Sequence, residues 1–275
     1  MDFTQALINQ VANSLDEDVG SGDISADLVG TDAELKTQLL VREDAVLCGV
    51  PWFDEVFRQC NPAIQVHWRH RDGEAISADS VIATVSGPAR ALLTAERCAL
   101  NFLQTLSGTA TATRRLADCI AHTNCRILDT RKTIPQLRIA QKYAVRCGGG
   151  ENHRIGLFDA YLIKENHLAA CGGIPNAVAL ARRLHPDKLL EVEVEDLDQL
   201  HQAIANKVDR ALLDNFSLNQ LREAVSLNRN IIQLEASGDI NEKSIVAIAE
   251  TGVDFVSIGA LTKHLRAVDY SLRFC

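Results

Sequence analysis

The sequence predicts an α/β protein: a mixed α/β N-terminal domain followed by an incomplete parallel α/β barrel of the TIM-like kind. Three observations lead there. Short apolar runs begin at residues 189, 210, 231 and 253, each followed by a helical stretch. A repeat of about 21 residues is one βα unit, and repeated βα units make strands parallel. Two earlier runs bring the visible strands after residue 125 to six, short of the eight of a full barrel. The hydrophobic content is 47% but the aromatic content only 5%, which favours Leu/Ile/Val/Ala packing over an aromatic-rich sandwich. An open doubly wound sheet is the alternative, although no GxGxxG follows a first strand.

Taken in order, residues 3–14 have the period of an amphipathic helix, and Asp16–Ser25 (DEDVGSGDIS) reads as a polar loop. Strand-like segments follow at Lys36–Arg42, Ala45–Val50 and Ile64–Trp68, with a helix at 52–60 and a turn at Asp72-Gly73. A helix covers 89–106. Ser107-Gly108-Thr109 is read as its break, with a second helix running to about Ala121. The domains are therefore placed at 1–107 and 108–275, with packing of the tail 269–275 on the N-terminal domain left open. Barrel strands are expected at Arg126–Leu128, Ala160–Ile163, Leu189–Val194, Arg210–Leu213, Ile231–Leu234 and Val253–Ile258, closing into a ring or nearly so.

In such a barrel the reactive groups sit at the C-terminal ends of the strands. The first run ends in Asp129-Thr130-Arg131-Lys132, the second in Lys164-Glu165-Asn166-His167, and the fourth in Asp214-Asn215. The fifth ends in Glu235-Ala236-Ser237-Gly238-Asp239 and the sixth in Ser257-Ile258-Gly259-Ala260. In the third, Glu191, Glu193 and Glu195 alternate with Val192 and Val194, so the glutamates share one face. Helices cover the outside of a barrel, so the valines point out and the glutamates in, where charge needs cations or metal. Glu193 is the best-placed functional carboxylate; a structural ion pair is the alternative.

From Arg126 to Lys164 there are eight basic residues and three acidic ones, inside a chain of net charge −8. A cationic pocket in an acidic protein points to a small anionic substrate. Arg138, Lys142 and Arg146 also fit a solvated helix stripe. Ser237-Gly238 and Gly259-Ala260 follow the last two strands, where backbone amides suit phosphate. The acidic balance, with a pI near 5.5, argues against nucleic acid or an acidic membrane as partner. No run approaches the roughly 18 apolar residues of a membrane span, and the expectation is a soluble, cytoplasmic protein. Eight cysteines form no CxxC and no zinc spacing, so they read as reduced core residues.

LDTRKT, GGGENHR, LIKENH, EVEVE, LLDNF, LEASG and VDFVSIGALTK occur in this order, after EDVGSGDIS and ERCALNFLQTLSG. Over almost the whole chain this set resembles quinolinate phosphoribosyltransferase, also called nicotinate-nucleotide pyrophosphorylase (carboxylating). The resemblance implies conversion of quinolinate and phosphoribosyl pyrophosphate to nicotinate mononucleotide, carbon dioxide and pyrophosphate in NAD synthesis, with Mg²⁺. It implies a homodimer with shared active sites, Arg97 being supplied by the partner. Arg131, Lys132 and Thr130 match the TRK motif, His153 and Arg154 the NHR pair, and Lys164 the IKENH lysine. Glu193 and Asp214 match the acids facing ribose and metal, the metal being held through water. Lys132, Glu193 and Asp214 are thereby the expected catalytic groups. Ser237-Gly238-Asp239 and Ile258-Gly259-Ala260 match the phosphate-side loops. Asp239 departs from the family's second glycine; its carboxylate would repel phosphate, leaving its backbone N–H to serve. From the residues alone, Lys164 also admits a Schiff-base aldolase or decarboxylase, and the cationic pocket a non-catalytic binder of pyridine dicarboxylates. A related barrel transferase acting on another anionic acceptor shares much of the motif set.

Overall fold

The computed structural model describes residues 3–274. Residues 1 and 2, and Cys275 of the expected tail and cysteine set, lie outside the described residues. Helix α1 (Thr4–Val19) is followed by β1 (Glu34–Val41), β2 (Ala45–Val46), α2 (Val50–Cys60), β3 (Gln65–Trp68), β4 (Ala75–Ile76) and β5 (Val81–Pro88). Next come α3 (Ala89–Cys119), β6 (Arg126–Leu128), α4 (Arg138–Cys147), β7 (Ala160–Ile163), α5 (Glu165–Cys171) and α6 (Ile174–Leu184). The chain continues through β8 (Leu189–Val194), α7 (Leu197–Ala205), β9 (Arg210–Asp214), α8 (Leu218–Asn228) and β10 (Gln233–Ser237). It finishes with α9 (Ile245–Ala249), β11 (Phe255–Ser257), α10 (Ala260–Lys263) and β12 (Tyr270–Phe274). Among the described residues no helix is long and apolar enough to cross a membrane.

The chain divides into two compact units, each built from more than one stretch of sequence. The first holds residues up to Arg114, Thr133–Gly149 and the stretch from Leu261 on; the second holds Arg115–Lys132 and Gly150–Ala260. Helix α3 runs through the expected break. A Cβ on Gly108 would lie 2.2 Å from the Arg266 carbonyl oxygen, so this glycine permits a close approach and the helix continues past it. In the first unit an antiparallel sheet of order β12-β1-β5-β3 packs on a core that includes Leu39, Trp52, Phe53, Ile82, Leu103 and Leu106. Full burial of such side chains contributes roughly 1.5–3 kcal/mol each. Ala140 and Ala144 of α4 join that core, which is why 133–149 belongs there. Lys142 is buried, so the solvated-stripe reading of α4 fails at that residue. The tail pairs with β1, from Val41 opposite Tyr270 to Thr37 opposite Phe274.

The second unit is a parallel sheet of order β6-β11-β10-β9-β8-β7. Its ring is not closed: among the described residues β6 and β7 share no pairing, and an isolated bridge joins Leu128 to Glu151. No βα unit stands between β6 and β7, because 133–149 belongs to the other unit. Glu193 and Glu235 both stand opposite Leu212, and Glu235 also stands opposite Phe255, so these positions form one level of the barrel. The fifth strand starts at Gln233, two residues later than expected, because Asn228 holds both the N–H and the C=O of Ile232 in a turn. Strand β8 ends at Val194, which leaves Glu195 exposed beyond it and outside the inward-facing set.

Candidate active site

The strand tips of the second unit converge on a cavity of about 290 Å³. Nine of the expected residues line it: Thr130, Arg131, Lys132, His153, Arg154, Lys164, Glu193, Asp214 and Ser237. At the β6 tip the Thr130 hydroxyl accepts the Lys132 N–H at 3.0 Å, turning the chain so that Lys132 faces inward. Gly259 stands against that lysine, and a Cβ there would lie 2.8 Å from Lys132 Cδ. At the β7 and β8 tips Lys164 Nζ is paired with Glu193 Oε2. At the β9 tip the Asn215 amide donates to Asp214 Oδ2 at 2.9 Å, with Asn215 in the left-handed region at φ 56°. Ser217 then caps α8 together with Gln220, which fixes where Asp214 ends its strand.

The GGGENHR segment is fastened by Asp129. This fully buried carboxylate accepts the Asn152 amide at 2.6 Å and the His153 N–H at 2.9 Å. Arg154 is brought near Arg131, and burial followed by that neighbouring guanidinium pushes its pKa down from the usual arginine range. Two guanidiniums in mutual repulsion at one mouth are what an anion relieves.

His153 lines the cavity and is held from two sides. Its Nδ1 accepts the Arg154 N–H at 2.8 Å, while Nε2 lies 2.7 Å from Glu191 Oε2 and 3.6 Å from Glu235 Oε2. Both ring nitrogens face protein groups, and a neutral ring carries its proton on Nε2. His153 thereby holds Arg154 in place. Beside it, Glu191 and Glu235 have no exposed surface. Burial raises both carboxyls above the usual range, Glu235 to about 7, and the charge of Glu191 adds to the rise at Glu235. Arg210 Nη1 reaches Glu235 at 3.3 Å, and its guanidinium stacks 4.2 Å over the Phe255 ring.

The expected phosphate-side residues are only partly placed at the cavity. Ile258 is buried and donates its N–H to the Leu128 carbonyl at 2.9 Å, so that amide is engaged within the sheet. Gly238, Asp239, Gly259 and Ala260 do not line the cavity. Gly238, at φ 117°, passes so close to Asn215 that a Cβ would meet Oδ1 at 2.2 Å, and Asp239 sits at φ 34°. That left-handed backbone suits the glycine of the family pattern. Arg97 is exposed on α3 and is not among the lining residues. Sequence reasoning missed Glu235 and Ser257 as lining residues; Glu235 could have been found as the LEASG counterpart of the inward glutamates. The oxygen-only pair Glu193 and Asp214, facing one cavity, suits a hard cation such as Mg²⁺.

Comparison with known proteins agrees on one family. Residues 23–107 match the model "Quinolinate phosphoribosyl transferase, N-terminal domain" and residues 109–273 the corresponding C-terminal domain. A probable nicotinate-nucleotide pyrophosphorylase [carboxylating] of Bacillus subtilis is 38% identical over 257 residues, covering 93% of this chain and 89% of that one. The structure of the nicotinate-nucleotide pyrophosphorylase from Francisella tularensis superposes with a TM-score of 0.96 at 50% identity, covering 98% of this chain and 96% of that one. NadC from Streptococcus pyogenes gives 0.95 at 36% identity, covering 100% and 99%.

Proposed function

This chain belongs to the quinolinate phosphoribosyltransferase family, and from that premise we propose that its barrel mouth joins quinolinate to phosphoribosyl pyrophosphate with loss of carbon dioxide. It is a phosphoribosyltransferase of NAD biosynthesis, a carboxylating nicotinate-nucleotide pyrophosphorylase. The observation that carries the residue assignment is the shared cavity, in which Arg131, Lys132, Arg154 and Lys164 face Glu193 and Asp214.

The chemistry follows from that division of charge. Quinolinate carries two carboxylates, and the planar donors of Arg131 and Arg154 suit them. Lys132 and Lys164 act as point charges for carboxylate or phosphate. As pyrophosphate leaves, positive charge grows on the ribose ring, and the carboxylates of Glu193 and Asp214 stabilise it. The positive ring nitrogen of the new pyridinium stabilises the electron pair left on the ring carbon as carbon dioxide departs, and a proton from solvent then bonds to that carbon. Glu193 and Asp214 would hold Mg²⁺ through water, and the ion would neutralise charge on the pyrophosphate. The direct test incubates the chain with quinolinate, phosphoribosyl pyrophosphate and Mg²⁺ and follows both gases and anions. Equal yields of carbon dioxide and pyrophosphate support the reading; quinolinate binding without pyrophosphate release would defeat it.

The protein acts as a homodimer in this reading, with Arg97 reaching the partner's cavity. Its exposure on α3 supports that role. Mixing Arg97→Ala subunits with Lys132→Ala subunits should restore activity, since one site in the mixed dimer is then intact; no recovery would exclude sharing.

A further inference from the structure

Outside the barrel, the first unit contains a group of reactive side chains that the phosphoribosyl reaction does not use. Cys48 Sγ, Cys147 Sγ and a carboxylate oxygen of Asp72 all lie within 4.8 Å of one another. Cys48 is fully buried between β2 and α2, whereas Cys147, the last residue of α4, is partly exposed. Both are held by backbone contacts to α3. The Cys48 N–H donates to Ser107 Oγ at 2.9 Å and its carbonyl accepts the same hydroxyl at 3.0 Å; the Cys147 carbonyl accepts from Arg114 Nη2 at 3.4 Å. Asp72 accepts the Val50 N–H at 3.2 Å and the Tyr143 hydroxyl at 2.7 Å.

We propose that Cys147 and Cys48 are a redox-active thiol pair, with Cys147 the point of attack on a low-molecular-weight disulfide and Cys48 the thiol that resolves it. A reactive thiol needs thiolate character, access and a second thiol at hand. Cys147 has all three. The neighbouring Cys48 thiol lowers the Cys147 thiol from its usual range, while burial raises Cys48 and keeps its proton on. Among the described residues, Cys98 and Cys125 are buried and pushed up to about 12, and burial also raises Cys60.

The steps balance. Cys147 thiolate attacks one sulfur of the small disulfide, whose S–S bond breaks to release one thiolate and leave a mixed disulfide on Cys147. Cys48 then gives its proton to the nearby Asp72 carboxylate and attacks Cys147 Sγ. The Cys48–Cys147 bond forms, the second thiolate departs, and it takes the proton from Asp72. With the proton that Cys147 releases to solvent on ionising and that the first departing thiolate takes up from solvent, two protein thiols have lost two electrons and two protons, and one small disulfide has become two thiols.

Purified full-length chain is incubated with oxidised glutathione, quenched by alkylation at intervals, and mapped by peptide mass. The expected result is a Cys48–Cys147 cross-linked peptide, with Cys147 reacting at least tenfold faster than the part-exposed Cys119 and Cys171. Cys48→Ala should accumulate a lasting glutathione adduct on Cys147, and Asp72→Asn should slow cross-linking at least fivefold. Reaction at Cys147 no faster than at Cys119 and Cys171 would overturn the proposal. So would an adduct that persists in the unaltered chain, or a stoichiometric zinc ion held by these side chains after purification. The unaltered chain alone decides the main point, so a variant that fails to fold does not shelter the idea.

Discussion

The barrel carries two sets of charge with the same residue types and opposite jobs. At the mouth, Arg131, Lys132 and Lys164 are exposed and face Glu193 and Asp214 across an open cavity. Beside them, Glu191, Glu235 and Arg210 are buried, and His153 Nε2 lies against the two glutamates. At the mouth, water and substrate can answer each charge, so a cation there binds an anion at little structural cost. Around the buried carboxyls solvent is excluded, so charge there needs a partner: Arg210 reaches Glu235, His153 Nε2 lies beside Glu191, and burial raises both carboxyls. Exposure, and not residue type, separates the two sets of charged groups.

The largest test of that division is Arg210→Leu. It leaves the carboxyl pair without its cation and should lower the unfolding free energy by about 3 kcal/mol or more, read from denaturant midpoints. A loss under about 1 kcal/mol would mean the buried set is not a matched network. Next comes Lys132→Ala in the exposed set. A pocket cation contributes about 2 kcal/mol to the transition state, so kcat/KM should fall more than tenfold, with stability within about 0.5 kcal/mol of the parent. Turnover within threefold of the parent would remove Lys132 from the site. The smallest effect concerns pH. Glu235 is raised from 4.5 to about 7 in the folded chain, so its proton is bound more tightly when folded. The stability it contributes is complete below about pH 4.5 and is lost as pH rises through about 7. Glu235→Gln should flatten that decline by about 1–2 kcal/mol, since the neighbouring Glu191 carboxyl titrates with it and takes part of the effect. An unchanged slope between pH 4.5 and 7 would show that Glu235 is not the group titrating.

The barrel strands were legible because one βα unit leaves a spacing that no tertiary context erases. The mouth was legible for a related reason: a strand's end shows in sequence, and a barrel puts its chemistry there. Strand β5 was missed although VIATV has strand composition. It lies inside a sheet whose outer strand, β12, comes from the far end of the chain, and that pairing has no local signal. Gly108 misled because a glycine reads alike whether it breaks a helix or admits a neighbouring carbonyl. The buried set was hidden for a third reason. That Glu191 meets His153, and that the Ile258 amide is used by Leu128, depends on the register of neighbouring strands and not on either segment alone.

The unpaired boundary between β6 and β7 has a mechanical consequence. A hoop resists widening at every point, whereas a belt left unbuckled gives at its ends. The two ends here carry Arg131 and Lys132 on one side and Lys164 on the other. Among the described residues no rung of the sheet ties those two ends to each other, so the cations on either side are not held together by backbone pairing.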